Sequence, residues 1–269
     1  MKITTEYLQQ NDTLHQRPPL IVAFGGGVNS TAVLIGMQQR RIRPDLILFA
    51  DTGGELPETY EHTRQFSSWL IAHGFPEIVW VSKTFAGEPT TLEADCLRNQ
   101  TLPSIAFGFK GCSIKYKRDP QDKYCNHWAP AKQVWAAGRK CIKVLGYDAD
   151  EERRASIADD SKYVYWYPLI EWGWWRDDCK RVCELAGFTP PKSACFFCPN
   201  SSRSDIRELA RQHPNLFQRA LKMEANASLT TIKGLGRRFA WRDVGFPSVV
   251  PGEETDRCTE MPCSCYDGE

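Results

Sequence analysis

The chain has 269 residues, 42% of them hydrophobic, and its 34 basic and 33 acidic side chains leave a net charge of +1. That length suits one large α/β domain or a domain with an appendage. The near-neutral balance excludes a global field that would draw the protein to nucleic acid or membrane. No apolar run approaches a membrane span and no segment has a secretory pattern, so the sequence reads as cytoplasmic. Eleven cysteines in a reducing compartment point to metal or redox chemistry rather than to disulfides.

Residues 1–19 are polar and read as an N-terminal arm. From residue 20 the pattern alternates between strand and helix, as a parallel sheet with crossover helices requires. Strands are expected over 20–24, 45–50, 78–81, 141–145 and 163–167, and helices over 30–41, 57–73, 130–138 and 176–186. Pro57 suits a first helical turn and Gly74 a stop. The stretch 82–111 has weak periodicity and reads as an insertion near the site. Helices follow over 204–212 and 215–225, and 227–269 shows little periodicity. The expected fold is an open, mainly parallel five-stranded α/β sheet with helices on both faces. It occupies 20–190 and is followed by a helical, cysteine-rich region over 191–269.

The most informative stretch is Gly25-Gly26-Gly27-Val28-Asn29-Ser30, between the first strand and the first crossover helix. Three glycines let the backbone turn sharply and bring its N–H groups close to an anion. Ser30 is read as opening the helix, whose positive end also favours phosphate. Neither G-x-G-x-x-G nor the Walker spacing is present. Open parallel sheets bind ligands at the carboxyl ends of strands, so Gly25 to Ser30, Asp51 and Gly146-Tyr147-Asp148 should converge. Asp51 suits an adenine amino group, a ribose hydroxyl, or Mg²⁺ through water. Lys115 and Lys117 fall on one side of the chain if it is extended, and either can neutralise a transferring phosphoryl group. They belong to a basic segment, Lys110 to Lys143, with nine basic residues against Asp119 and Asp122.

Cys195 and Cys198 form C-x-x-C, and Cys263 and Cys265 form C-x-C. Four sulfurs from these two pairs make a tetrahedral Zn²⁺ site. Cys179 and Cys183, at i and i+4, read as half-buried packing. Trp166, Trp172, Trp174 and Trp175 read as core filling beside the sheet, with stacking on a base as the other option. Gly236 to Arg242 mixes basic and aromatic residues in a way that suits a polynucleotide.

The glycine segment resembles the PP-loop (S-G-G-x-D-S) of the ATP pyrophosphatase superfamily, the adenine nucleotide alpha-hydrolases. Gly25 stands at its first Ser and Asn29 at its Asp, while Gly26, Gly27 and Ser30 match. Further segments are similar to the phosphoadenylyl-sulfate (PAPS) reductase-like branch. They are Ala50 to Tyr60, Gly111 to Lys117, Leu145 to Arg154 with Tyr147 read at an arginine position, Tyr167 to Trp172, and Cys195 to Pro199. The resemblance runs from about residue 20 to about residue 200. It implies an adenine nucleotide alpha-hydrolase-like fold, Arg154 as a phosphate ligand, and a [4Fe–4S] cluster on Cys112, Cys195 and Cys198. Adenylyl-sulfate reductases have a Cys-Cys pair at the first of these segments, where this chain has Gly111 and Cys112. A fourth ligand comes from Cys125, Cys263 or Cys265, or is absent.

The resemblance implies ATP with Mg²⁺, cleavage between the α- and β-phosphates, adenylation of an acceptor, and sulfur transfer, with a nucleic acid or a sulfur-donor protein as partner. A second implied activity is reduction of PAPS or adenylyl sulfate. Such reductases typically carry a C-terminal E-C-G-x-H segment, whereas this chain has Cys263-Ser264-Cys265-Tyr266-Asp267-Gly268-Glu269, with no His. A non-catalytic nucleotide-binding module is the third option, since Asn29 departs from the motif.

Overall fold

A computed structural model describes residues 3–11 and 17–244. The chain opens with a short helix, α1 (Thr5–Gln10), and then builds the sheet from β1 (Leu20–Phe24), β2 (Leu46–Asp51) and β3 (Ile78–Ser82). A small antiparallel hairpin, β4 (Thr84–Phe85) and β5 (Glu88–Pro89), follows, and β6 (Cys141–Val144) and β7 (Tyr163–Trp166) complete the sheet. The order is β3-β2-β1-β6-β7 and every neighbouring pair is parallel. The strand order therefore reverses between β1 and β6, and a crevice opens there at the carboxyl ends.

Helices α2 (Val28–Gln39) and α3 (Pro57–Ala72) follow β1 and β2. Next come α4 (Leu92–Arg98), the single turn α5 (Gly111–Ser113), α6 (Asp119–His127) and α7 (Ala129–Ala136). The chain then adds α8 (Pro168–Glu171), α9 (Arg176–Leu185), α10 (Arg203–Gln212) and α11 (Pro214–Asn226). Strand alternation divides the core between two faces. Leu20, Val22 and Phe24 join one apolar cluster with α2, α3 and α9, whereas Ile21, Leu46 and Leu48 pack with Cys125 and Ala131 of α6 and α7. No described helix is long and apolar enough to cross a membrane.

Three expectations need correction. First, the arm is not wholly peripheral. Thr4 caps α1, accepting from the Tyr7 N–H at 3.2 Å, and Ile3 and Leu8 are buried in the sheet's core. Second, α2 begins at Val28. Gly27 is its last extended residue, and its carbonyl accepts from the Ser30 hydroxyl (3.1 Å) and from the Thr31 hydroxyl (3.0 Å). Ser30 thus lies inside the first turn and does not cap it. Third, the stretch 82–111 contains α4 and a 3₁₀ turn, Ser104–Phe107, and belongs to a second apolar core. That core joins Leu92, Leu102 and Tyr116 to Phe197, Ile206 and Trp241. Its floor is polar: Glu224 on α11 accepts backbone N–H groups of Leu235 and Trp241, each at 2.8 Å, which holds the 235–241 loop.

Candidate active site

Gly26 sits at φ +75, a conformation that glycine adopts at no steric cost. A Cβ there would lie 2.9 Å from Thr59 Cγ2 and 3.3 Å from Phe49, so the loop is pressed against α3 and β2. On its other side, a Cβ on Gly146 would lie 3.2 Å from the Ser30 nitrogen. The loop after β6 thus touches the first turn of α2, whose leading N–H groups have no intrahelical partners. The convergence expected of the strand ends is present at these two strands.

The segment after α9 closes a third side. A Cβ on Gly27 would lie 3.2 Å from Ser193 Cβ, and the Ser193 hydroxyl donates to the Gly25 carbonyl. This contact spans 168 residues, and no local pattern in the sequence announces it. The cleft between these segments has a volume of about 980 Å³ and is lined by Gly25, Ser30, Lys117, Gly146, Arg154 and Cys198, among others. A smaller groove of about 440 Å³, between Ser82 and Tyr124, shares none of these residues.

Asn29 is the hub of the polar wall. Its Nδ2 donates to Asp148 Oδ2 at 2.9 Å and to Glu151 Oε2 at 3.2 Å, while its Oδ1 accepts from Arg176 Nη1 at 2.6 Å. An aspartate at this position would set a third carboxylate against the first two, so the amide answers to its neighbours. Asp148 is only 2% exposed, and its Oδ1 has no hydrogen-bond partner among the described residues. Burial pushes the Glu151 carboxyl up, and Asp148 adds to this against the opposing pull of Arg154. Arg154 pairs with Glu151 and lies 4.2 Å over the Tyr147 ring. Counted from Gly146, the arginine position of the resembled G-x-R-x-x-E-x-x-R segment falls on Asp148 and not on Tyr147. Glu151 and Arg154 then occupy its last two positions.

The two lysines separate. Residues Ile114–Arg118 form a π-helical turn, not an extended run, so Lys115 and Lys117 point in different directions. Lys115 is exposed. Lys117 lines the cleft, 9% exposed, with its Nζ 3.6 Å from Glu55 Oε1. Glu55 is itself buried, and its Oε2 has no hydrogen-bond partner among the described residues. Asp51, at the end of β2, accepts from the Gly53 N–H and the Tyr60 hydroxyl, both at 2.7 Å. These bonds brace the turn, and burial together with Asp51 pushes the Tyr60 hydroxyl pKa up.

Cys195 lies 3.2 Å from the Thr52 hydroxyl, and Cys198 faces the cleft. Cys112, half-buried on α5, borders the second core, where the buried Cys96 thiol is pushed up to about 12 by burial, with Cys112 adding. Among the described residues no group of three or more His, Cys, Asp or Glu is placed to hold a metal. The set Cys112, Cys195 and Cys198 therefore does not form a cluster site in this structure. Cys263 and Cys265 lie outside the described residues. Cys179 and Cys183 are fully buried, with thiols pushed up to about 12 by burial, as packing residues are.

Three of the four tryptophans fill the core side. Trp172 and Trp174 fill the space a Cβ on Gly36 would need, and Arg40 lies 4.1 Å over the Trp172 ring. Trp166 is buried, and only Trp175 is well exposed. In the 236–242 segment Trp241 is buried and Arg237 Nε donates to the Ile105 carbonyl at 2.7 Å, so part of this stretch is structural. In the basic segment, Lys143 is likewise buried, bonded to Asp122 at 2.8 Å.

The fold and cleft define an open α/β protein with a glycine-rich anion loop at the point where strand order reverses. Among solved structures, the chain is similar to a phosphoadenylyl-sulfate (PAPS) reductase from Candida auris, determined as a phosphate complex. That match has 13% identity and a TM-score of 0.43, and covers 71% of this chain and 90% of that one. The chain is also similar to the U34-tRNA thiolase NcsA from Methanococcus maripaludis with its [4Fe-4S] cluster. There the identity is 13% and the TM-score 0.42, over 81% of this chain and 76% of that one. No model of a known protein family matches the sequence, and no curated protein matches it.

Proposed function

We propose that the protein binds ATP in the Gly25–Ser30 loop and cleaves it between the α- and β-phosphates. An acceptor oxygen attacks the α-phosphorus, the α–β bridging bond breaks, and pyrophosphate leaves. A sulfide-level sulfur from the donor then attacks the activated carbon, a C–S bond forms as the C–O bond breaks, and AMP leaves with the acceptor's oxygen. The observation that carries this reading is the tight glycine turn at the strand-order reversal, open to a cleft that also holds Lys117 and Arg154. Backbone N–H groups at the helix start hold phosphate oxygens. Lys117 and Arg154 neutralise charge that develops on the transferring group. Mg²⁺, when bound, shields the phosphates. The described cysteines do not assemble an iron–sulfur site. The acceptor fitting this chemistry is a nucleic acid base, with a sulfur-donor protein as second partner, in a reducing cytoplasm.

The test is product analysis with α-labelled ATP. AMP and pyrophosphate are expected, and ADP as main product overturns the reading. Gly25→Val serves as the binding control, since a Cβ there meets only Ser30 Oγ at 3.8 Å and the residue lines the cleft. It is expected to lose nucleotide affinity while remaining folded.

One observation favours a second reading, sulfonucleotide reduction: Cys198 lines the same cleft. Its thiolate would attack the sulfonyl sulfur, forming an S–S bond and expelling the adenosine phosphate. An external thiol would then release sulfite and leave a disulfide. Sulfite release from PAPS with a thiol reductant, abolished by Cys198→Ser, identifies that activity.

A further inference from the structure

We propose that Asp148 and Glu151 form a divalent-cation site in the wall of the cleft, taking Mg²⁺ or Mn²⁺ beside the anion loop. The pairing of this cation with nucleotide phosphates rests on the ATP reading above, whereas the site itself stands on the protein's own groups.

Two carboxylates, Asp148 at the N-cap of a 3₁₀ turn over Ala149–Arg154 and Glu151 within that turn, converge on a single amide nitrogen, Asn29 Nδ2, at 2.9 and 3.2 Å. Their oxygens are therefore neighbours. Arg154 takes the other oxygen of Glu151, and Arg176 takes the Asn29 carbonyl. Neither arginine supplies a donor to Asp148 Oδ1. That atom belongs to a residue only 2% exposed and has no hydrogen-bond partner among the described residues. A buried carboxylate oxygen without a donor is rare in folded proteins and calls for an explanation such as an ion. Asp148 also lines the cleft, so the route to this atom is from the ligand side.

The location fits the use. The loop carrying these carboxylates begins at Gly146, whose missing Cβ brings the backbone against Asn29 and Ser30. A cation on Asp148 therefore stands beside the N–H groups that hold an anion. The donor set selects the ion. It offers hard oxygens only, and Mg²⁺ is commonly held by one or two carboxylates with water and phosphate oxygens completing the shell. Asn29 keeps the two acids aligned without adding a third negative charge.

The experiment is a Mn²⁺ titration of the full chain, read by the electron-spin resonance signal of free Mn²⁺. It is run first without nucleotide and then with α,β-methylene-ATP. One Mn²⁺ per chain is expected. Asp148→Asn should weaken it at least tenfold and Glu151→Gln severalfold. Asn29→Asp should tighten it severalfold, a gain that misfolding cannot imitate. Unchanged Mn²⁺ affinity in Asp148→Asn and Glu151→Gln overturns the site. Nucleotide affinity measured both in EDTA and at saturating Mn²⁺ separates the two claims. If the wild type binds Mn²⁺ through Asp148 but no nucleotide, the ATP reading falls and the cation site stands. If nucleotide binds and Mn²⁺ does not depend on Asp148, the cation site falls.

Discussion

Two groups of residues, each scattered along the chain, behave differently in space. At the carboxyl edge of β1 and β6, Gly25 to Ser30, Gly146 to Arg154 and Ser193 come into contact across gaps of more than one hundred residues. At the edge of the second core, Cys112 and the pair Cys195 and Cys198 do not gather into a metal site. Sheet topology accounts for the first result. Parallel strands must deliver the loops after β1 and β6 to the same edge, whatever their side chains. No such rule governs the second, because α5 and the Cys195 turn are not strand ends: a single backbone bridge to Glu55 holds the Cys195 turn, and α5 packs at the second core.

The strongest way to break this comparison is to disrupt the loop that topology positions. Gly26→Val looks from sequence like a clean block on anion approach that spares the core, but the structure says otherwise. The residue has φ +75, and its Cβ would press on Thr59, Phe49 and Thr63, which are core groups. Backbone strain and overpacking together should cost on the order of 4 kcal/mol. Urea unfolding is expected to show a much lower midpoint, and an unchanged midpoint would mean that the loop is not pinned as described.

Legibility followed the same division. The strands were legible because Leu20 to Phe24 and Leu46 to Ala50 are apolar runs between turn signals, and observed and expected boundaries differ by one residue or less. The stretch 82–111 was not, since its helix α4 is short and its apolar residues face a second core built with residues after 195. Lys115 and Lys117 were misplaced because a π turn has no residue signature of its own. The role of Asn29 was hidden for another reason. Read alone it is a lost aspartate, and only Asp148 and Glu151 explain the amide.

The lysine pair sharpens the comparison at a smaller scale. Lys117→Ala leaves Glu55, 4% exposed, without its ion-pair partner, and should destabilise the protein by about 2 kcal/mol. Lys115→Ala is expected to stay within roughly 0.5 kcal/mol of wild type. Glu55→Gln combined with Lys117→Met should recover part of the loss, and strict additivity in that cycle would show that the two groups do not interact.

A pH experiment probes the seam under the anion loop. His62, on α3, is buried and shares a 2.9 Å hydrogen bond with the Thr31 hydroxyl on α2. Burial lowers its pKa from 6.5 to about 4. The unfolded chain therefore binds a proton at a higher pH than the folded one. The stability of the neutral form is complete above pH 6.5 and is lost as pH falls from 6.5 towards 4, with no further change below. His62→Gln should flatten that part of the pH profile. An equal acid slope in the variant would remove His62 as its source.

The smallest expected effect lies at Cys112. Its side chain is half-buried at the edge of the second core, near Cys96, and its backbone N–H is held by the Ser104 hydroxyl at 2.6 Å. The thiol can be shortened without breaking that backbone bond, so Cys112→Ala should change stability by less than about 1 kcal/mol. The sequence resemblance implied a cluster that needs this thiol, whereas the geometry does not bring it to Cys195 and Cys198. Anaerobic purification with iron, sulfide and zinc analysis decides between them. The expected result is the same metal content in wild type and variant. Loss of bound iron in Cys112→Ala would mean that α5 can reach the Cys195 turn. The irregular segments would then converge as the strand ends do, and the contrast between the two regions would disappear.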